Sequence, residues 1–306
     1  MQFDPENAIL VMGTGALACL FAARLSAAGV SVWMYGAWAE GLQALEEAGV
    51  RLVDDQGYEQ AYPVQVVRRS ADCAGARQAL VLVKSWQTAH AAAQLAECLA
   101  QDGIALTLQN GMGNREALAQ ALGARRVSLG VTTIGANLLG PGRVQMAGEG
   151  VISVSVHPGL SGLVGRLRAA GFVIENEPDP NALLWGKLVI NAAINPITAL
   201  LRVPNGELLN RPAARQLLHT IVREAAAVAV AQGVRLPYPD PVVAVEAIAR
   251  RTATNRSSML QDVLRGAPTE IDAICGAVVG AGEKTGVPTP TLRAVWQLVK
   301  AIQPEW

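Results

Sequence analysis

Lys187, Asn191 and Asn195 stand four residues apart in the otherwise apolar stretch LLWGKLVINAAINPITAL. Four residues turn an α-helix by about 400°, so the three side chains drift only about 80° around the axis and share one face. Leu188, Val189, Ile190, Ala192, Ala193 and Ile194 fill the remaining faces. Such a helix is expected to be buried, where an ammonium and two amides are costly without partners, so the stripe should line a cavity. An amine able to give up its proton beside two amides that orient a carbonyl is an acid–base site. Taken alone, Lys187 reads equally well as a surface lysine; the joint pattern carries the chemistry. Asp179 as N-cap and Pro180 at the first helical position mark the start, and Pro196, which lacks an amide hydrogen, predicts a break or kink near Asn195. The stretch 182–201 is long enough to tempt a membrane-span reading, but Lys187, both asparagines and Pro196 inside it argue against one.

A second chemistry-bearing pattern lies near the start. Gly13-Thr14-Gly15-Ala16-Leu17-Ala18 spells G-x-G-x-x-A between the apolar run AILVM and a helical pattern. There Gly13 serves a tight turn, Gly15 lets backbone amides approach a pyrophosphate, and Ala18 is small where helix meets strand. Dinucleotide binding by Gly13, Thr14, Gly15, Ala16 and Leu17 is the expectation. The end of the second strand, Tyr35-Gly36-Ala37-Trp38, carries neither an acid for a ribose 2′-hydroxyl nor an arginine for a 2′-phosphate, which leaves NADP slightly ahead and NAD open. Lys84, at the end of the run ALVLVK, and Asn110, in the glycine turn QNGMGN, fall at strand ends where open α/β sheets receive ligands.

The elements that must position these residues follow from periodicity. Strands are expected at 8–12, 30–35, 64–67, 79–84, 104–108, 127–133, 143–148 and 151–156, with helices at 15–29, 38–48, 85–100, 114–122 and 160–170. This alternation predicts an α/β N-terminal domain with a doubly wound, mainly parallel sheet. The polar segment ENEPDPN (175–181) suits a domain junction, giving domains at 1–178 and 179–306, the second helical throughout.

Composition narrows the partners. In 306 residues the charges balance to zero and no basic run stands out, so a small-molecule ligand is favoured over nucleic acid or membrane. Cys19, Cys73, Cys98 and Cys275 have no metal-ligand spacing and read as reduced thiols of a cytoplasmic protein; no metal is expected. His90, His157 and His219 have no partner acid legible in the sequence and are expected to be non-catalytic. The N-terminal MQFDPENAILVMG has no basic leader, which argues against a secretory signal.

Taken together, GTGALA, LVKSWQ, QNGMGN, LWGKLVINAAINPITAL, VPNGELL, NRSSMLQD and TEIDAICG resemble the ketopantoate reductase family, in order and through nearly the whole chain. The resemblance implies an N-terminal Rossmann domain, an all-α C-terminal domain, and NADPH-dependent reduction of 2-dehydropantoate to (R)-pantoate on the coenzyme A route in the cytoplasm, by a monomer or homodimer. It makes Lys187 the general acid with Glu270 beside it. It places Asn110, Asn191, Asn195, Asn255 and Ser258 around the keto acid, and Lys84, Gln87 and Asn110 at the cofactor. Asn205 belongs to a family motif and also suits a turn or helix cap. Ala37 stands where many members put an arginine for the 2′-phosphate. Lys followed by Asn four residues later also occurs in β-hydroxyacid dehydrogenases, so another keto-acid dehydrogenase of the same plan remains open, as does an NADP-binding sensor without turnover. Asn255 and Ser258, three apart, are expected as neighbours on one helix face if that stretch is helical.

Overall fold

The computed structural model describes residues 3–304. Two compact units emerge: one runs to Gln109 and resumes over Asn114–Pro180, and the other takes Asn110–Gly113 with the chain after Pro180. The glycine turn expected in the first domain thus belongs with the second.

The strands of the first unit are β1 (Ala8–Met12), β2 (Ser31–Tyr35), β3 (Val50–Val53), β4 (Glu59–Tyr62), β5 (Gln65–Val67), β6 (Ala76–Val81), β7 (Leu99–Thr107), β8 (Val127–Thr132), β9 (Gly135–Gly140), β10 (Arg143–Gly148), β11 (Val151–Ser155) and β12 (Val173–Glu177). Its helices are α1 (Ala16–Ala27), α2 (Ala39–Ala48), α3 (Thr88–Cys98), α4 (Asn114–Leu122) and α5 (Ser161–Ala169). Eight strands form one sheet in the order β12-β11-β8-β7-β6-β1-β2-β5, parallel except where β11 meets β8. This is a doubly wound Rossmann sheet, whose order reverses between β1 and β6.

β1 is apolar throughout because both its faces are covered: Ile9 and Val11 enter one core cluster, Ala8, Leu10 and Met12 the other. The helix α1 is buried nearly all round because it packs against β2 on one side and against a second, four-stranded sheet, β4-β3-β10-β9, on the other.

Of that second sheet periodicity gave only β10, at the expected 143–148; β3 is four residues long and β9 is half-buried with glycine at both ends. β12 escaped notice because it is an edge strand, where the polar ENE tolerates exposure. β6 ends at Val81, three residues before the expected end at Lys84. Leu82 N still donates to Met12 O (2.9 Å), but Gly13 then passes against the Leu82–Val83 backbone and the ladder stops.

The second unit is built from α6 (Pro180–Leu201), α7 (Glu207–Asn210), α8 (Pro212–Ala231), α9 (Pro241–Arg251), α10 (Ser258–Leu264), α11 (Ala277–Thr285) and α12 (Pro290–Ala301), with a π-turn, Asp272–Gly276, leading directly into α11. α6 is long and apolar enough to cross a membrane by length and composition, but two-thirds of its apolar window is buried inside the protein, in the core with Trp185, Val189 and Ala192. Several helix starts are capped: Asp240 Oδ1 accepts from Val242 N and Val243 N, and Glu224 accepts from Thr291 N and Leu292 N at α12.

Contrary to the expectation that His219 lacks an acid, its Nε2 lies 2.6 Å from Glu246 Oε1, and Arg215 and Arg250 pair with the same carboxylate. The Arg215 hydrogen bond, helped by His219 and Arg250, holds the Glu246 carboxyl down at about 2 against the desolvation of a side chain only 8% exposed. A depressed carboxylate pKa stabilises the fold above its unfolded value of 4.5, and that contribution fades as pH falls toward 2. Because the arginines are half exposed, Glu246→Gln is expected to cost about 1–3 kcal/mol at pH 7, measured by urea unfolding, and progressively less toward pH 2. A loss independent of pH would show the carboxylate's charge to be irrelevant.

Candidate active site

In the first unit, the turn after β1 sits at the reversal of strand order. Gly13 adopts φ +123°, and a Cβ there would lie 3.1 Å from the Leu82 and Val83 backbone, so only glycine lets the β1 and β6 turns pass. Gly15 differs: a Cβ on it would meet nothing within 4 Å, leaving open space at the start of α1. No side-chain cap closes that helix and its first turn has no acid, so the amides after Gly15 can accept an anion. Thr14 is buried and crowds Gly36, where a Cβ would lie 2.9 Å from Thr14 Cγ2; Gly36 thereby lets β2 turn beside the glycine loop. These features fit a dinucleotide's pyrophosphate.

Lys84 precedes the short 3₁₀ turn Ser85–Gln87, and Gln87 closes it. A buried polar network that sequence reasoning missed fixes it. Gln109 Nε2 donates to Val83 O (2.9 Å) and Thr88 Oγ1 (2.8 Å), Thr88 Oγ1 donates to Asn114 Oδ1 (2.8 Å), and Thr107 Oγ1 donates to Gln109 Oε1 (3.0 Å). A polar side chain ending a central strand was the available signal.

In the second unit, α6 brings Lys187, Asn191 and Asn195 onto one face. Lys187 and Asn191 are half-buried and Asn195 is buried. Burial pulls the Lys187 pKa from its ordinary 10.5 to about 8, while the Glu270 carboxylate opposes that fall. Glu270, 5% exposed, accepts from Asn110 Nδ2 (3.2 Å). Asn195 Nδ2 reaches Ser258 Oγ at 3.5 Å, the outer limit of a hydrogen bond, and the neighbouring Ser257 hydroxyl lies 2.7 Å from Thr198 Oγ1 while capping α10 through Leu260 N.

Two expectations need correction. Of the break or kink expected near Asn195, the break does not occur: α6 continues through Pro196 to Leu201. Proline deprives the Ala192 carbonyl of its helical donor, and the Cys275 thiol takes the vacated position, with S···O 3.7 Å. Asn255 does not share a helix face with Ser258, because α10 begins only at Ser258; Asn255 is exposed and its carbonyl accepts from Asn205 N (3.0 Å). Asn205 is buried, donating Nδ2 to Thr252 Oγ1 (2.9 Å), so it clips the turn before α10.

The π-turn, also absent from the sequence reading, organises this cluster. Its Ala273 carbonyl accepts from Met112 N (2.9 Å), docking the Asn110–Gly113 turn so that Asn110 meets Glu270. Single π-turns inside helices recur at functional sites because the extra residue frees backbone groups for such contacts. Tyr238 Oη donates to Gly186 O (3.1 Å) one residue before Lys187. Among the described residues no group of three or more His, Cys, Asp or Glu side chains is arranged to hold a metal.

Lys187, Glu270, Asn110 and Asn195–Ser258 thus form a polar cluster on a helical unit, and Gly13–Leu17 a pyrophosphate cradle on a Rossmann unit. Comparison with known proteins agrees with that combination. The profile of the ketopantoate reductase PanE/ApbA family matches residues 9–159, and that of its C-terminal domain matches residues 179–303. A 2-dehydropantoate 2-reductase of Archaeoglobus fulgidus is 37% identical over 96% of this chain and 97% of its own. The crystal structure of a PanE/ApbA family ketopantoate reductase from Ralstonia eutropha is 31% identical with TM-score 0.89, covering 96% of this chain and 98% of that one. A D-mandelate dehydrogenase solved with NADH and anilino(oxo)acetate is 26% identical, also at TM-score 0.89, over 96% and 98% of the two chains. With both halves matched by their own profiles and the Lys-Asn-Asn helix, the glycine turn and the Glu270 segment all in place, the chain is a member of the ketopantoate reductase family of oxidoreductases.

Proposed function

We propose that this protein reduces 2-dehydropantoate to (R)-pantoate with NADPH, as a step toward pantothenate and coenzyme A in the cytoplasm. The observation that carries the reading is the half-buried Lys187 amine, tuned to about 8 and flanked by Glu270, Asn191 and Asn195. A bound nicotinamide supplies the hydride; the remaining work falls to the chain's own residues. Gly13, Thr14, Gly15, Ala16 and Leu17 hold the pyrophosphate through backbone amides. Ser258 and Asn195 bind the keto-acid carboxylate, with Asn255 contributing from the preceding turn. Asn191 and Asn110 orient the ketone.

As the ketone carbon is reduced, negative charge grows on its oxygen. The Lys187 ammonium stabilises that charge and then delivers its proton to the alkoxide, becoming a neutral amine. An amine with a pKa of 10.5 would hold its proton more tightly; one near 8 remains largely protonated at neutral pH and releases it more readily. Glu270 keeps the amine from falling further, so that the acid form persists where it is needed.

The phosphate on the adenosine ribose is the open choice. Exposed Ala37 offers it no charge, but β5 runs parallel to β2 with Val67 opposite Tyr35, and Arg68 and Arg69 follow directly at the same sheet edge. Each guanidinium is already paired, Arg68 with Glu46 (2.6 Å) and Arg69 with Asp72 (2.9 Å), so a 2′-phosphate must draw one of them from its carboxylate for NADPH to be preferred. The D-mandelate dehydrogenase likeness favours a second reading, a dehydrogenase of another 2-keto acid using NADH. Absorbance at the nicotinamide band, followed with NADPH or NADH against ketopantoate and benzoylformate, separates them: kcat/KM at least about 10-fold higher for the NADPH–ketopantoate pair is expected. A preference for NADH with benzoylformate would install the second reading, and no consumption of any pair would leave a binding protein.

A further inference from the structure

Lys187 lies on α6 and Glu270 two residues before the π-turn Asp272–Gly276, and a hydrogen bond ties that turn to α6. Pro196 leaves the Ala192 carbonyl of α6 without its helical amide donor, and the Cys275 thiol donates to that oxygen from the π-turn Asp272–Gly276. Burial pushes the Cys275 thiol pKa far up, so it keeps its hydrogen and remains a donor at every physiological pH. The same π-turn receives Met112 N at Ala273 O and so seats Asn110 against Glu270. Asp272, which opens this turn, is exposed and engaged elsewhere, with Trp296 Nε1 at 2.7 Å and Lys300 Nζ at 3.3 Å, which leaves Glu270 as the carboxylate acting on the Lys187 amine.

We infer that Cys275 is a positioning residue, its thiol clasping the Lys187 helix to the π-turn and thereby setting the separation of the Lys187 amine from the Glu270 carboxylate. Pro196 and Cys275 act as a pair: the proline creates the unpartnered carbonyl and the thiol fills it. Without the thiol, a buried carbonyl is left unsatisfied, the two elements separate, and the amine loses part of the carboxylate's support. The consequence for turnover rests on the reductase reading; the consequence for the amine's ionisation does not.

Competitive acetylation of the folded, substrate-free protein with acetic anhydride from pH 6 to 11, read by mass spectrometry of the Lys187 peptide, gives the midpoint of Lys187 ionisation directly. In Cys275→Ala that midpoint is expected to fall by about 0.5–1 pH unit as the carboxylate's support weakens. Cys275→Ser keeps a donor and should stay with the wild type. In the double variant Pro196→Ala/Cys275→Ala, the new amide at position 196 satisfies Ala192 within the helix but the tie to the π-turn is still missing, so Tm should recover while the midpoint stays low.

An unmoved midpoint in folded Cys275→Ala, an equal shift in Cys275→Ser, or a wild-type midpoint in the double variant would overturn the clasp. If Cys275→Ala does not fold, the double variant decides: a folded protein with its midpoint below the wild type's supports the clasp, and a wild-type midpoint or a failure to fold counts against it. The pH profile of kcat/KM should move with the labelling midpoint. Wild-type protein that consumes no keto acid yet shows these midpoint shifts would sink the reductase reading and leave the clasp standing.

Discussion

Lys187→Ala is expected to lower kcat/KM for keto-acid reduction at least about 10²-fold while leaving the dissociation constant for NADPH nearly unchanged, because one positioned proton donor contributes roughly 10²–10⁴-fold. The amine's depressed pKa makes the pH dependence specific. Reduction needs the ammonium, so wild-type kcat/KM should fall on the alkaline side of about 8, whereas oxidation of the hydroxy acid needs the neutral amine and should rise through the same point. Lys187→Ala should lose both limbs. A variant with wild-type rate, or one that keeps the limb near 8, would remove Lys187 from the chemistry.

The same shift has a consequence for folding. The unfolded chain binds the Lys187 proton up to about 10.5 while the folded protein releases it near 8, so between those values the unfolded state binds more protons and wild-type stability rises with pH. Below about 8 the folded state bears the cost of a desolvated ammonium; above about 10.5 that cost is gone. Relative to Lys187→Ala, wild-type unfolding free energy should therefore gain up to about 3 kcal/mol from pH 8 to 10.5. Denaturant titrations of the two proteins across that window measure it, and a constant difference would show the amine to titrate normally.

Gly111→Ala carries the other large effect. Gly111 has φ +82°, where an L side chain is strained by about 1–2 kcal/mol. A Cβ there would lie 2.6 Å from the Ala273 carbonyl oxygen and 2.7 Å from its Cβ, which leaves no flexible side-chain tip to yield. The turn must lift from the π-turn, breaking Met112 N to Ala273 O and withdrawing Asn110 from Glu270. A displacement of about 1 Å in such a site costs on the order of 10²-fold, so kcat/KM should drop that far with a lowered Tm. Asn110→Ala separates the two causes: it removes the amide without the collision, and should lose activity with little loss of Tm. Gly111→Ala retaining kcat/KM within about twofold would mean that the docked turn does not matter to the site.

Local chemistry already determined the pieces. The strand–glycine turn–helix around Gly13 follows from an apolar run, two glycines and a helical pattern, and the shared face of Lys187, Asn191 and Asn195 follows from the pitch of the α-helix alone. The helical second half was legible for the same reason: its periodicity is local, and its prolines and caps punctuate it.

Only the tertiary structure decided the rest. Pro196 predicts a break or kink because intrahelical bonding is all that a sequence displays; in the fold the helix continues through it, and Cys275, distant in sequence, donates to the carbonyl that proline leaves open. Asn110 lies on the chain of the first domain but is seated by Ala273 in the second unit, and His219 acquired an acid from another helix. Apart from β10, the four-stranded sheet escaped because short, half-exposed strands have little periodicity of their own and exist by pairing with remote partners. The lysine's pKa belongs to the same class, since desolvation and a facing carboxylate are properties of the space around a side chain, and that space is made by residues far away along the chain.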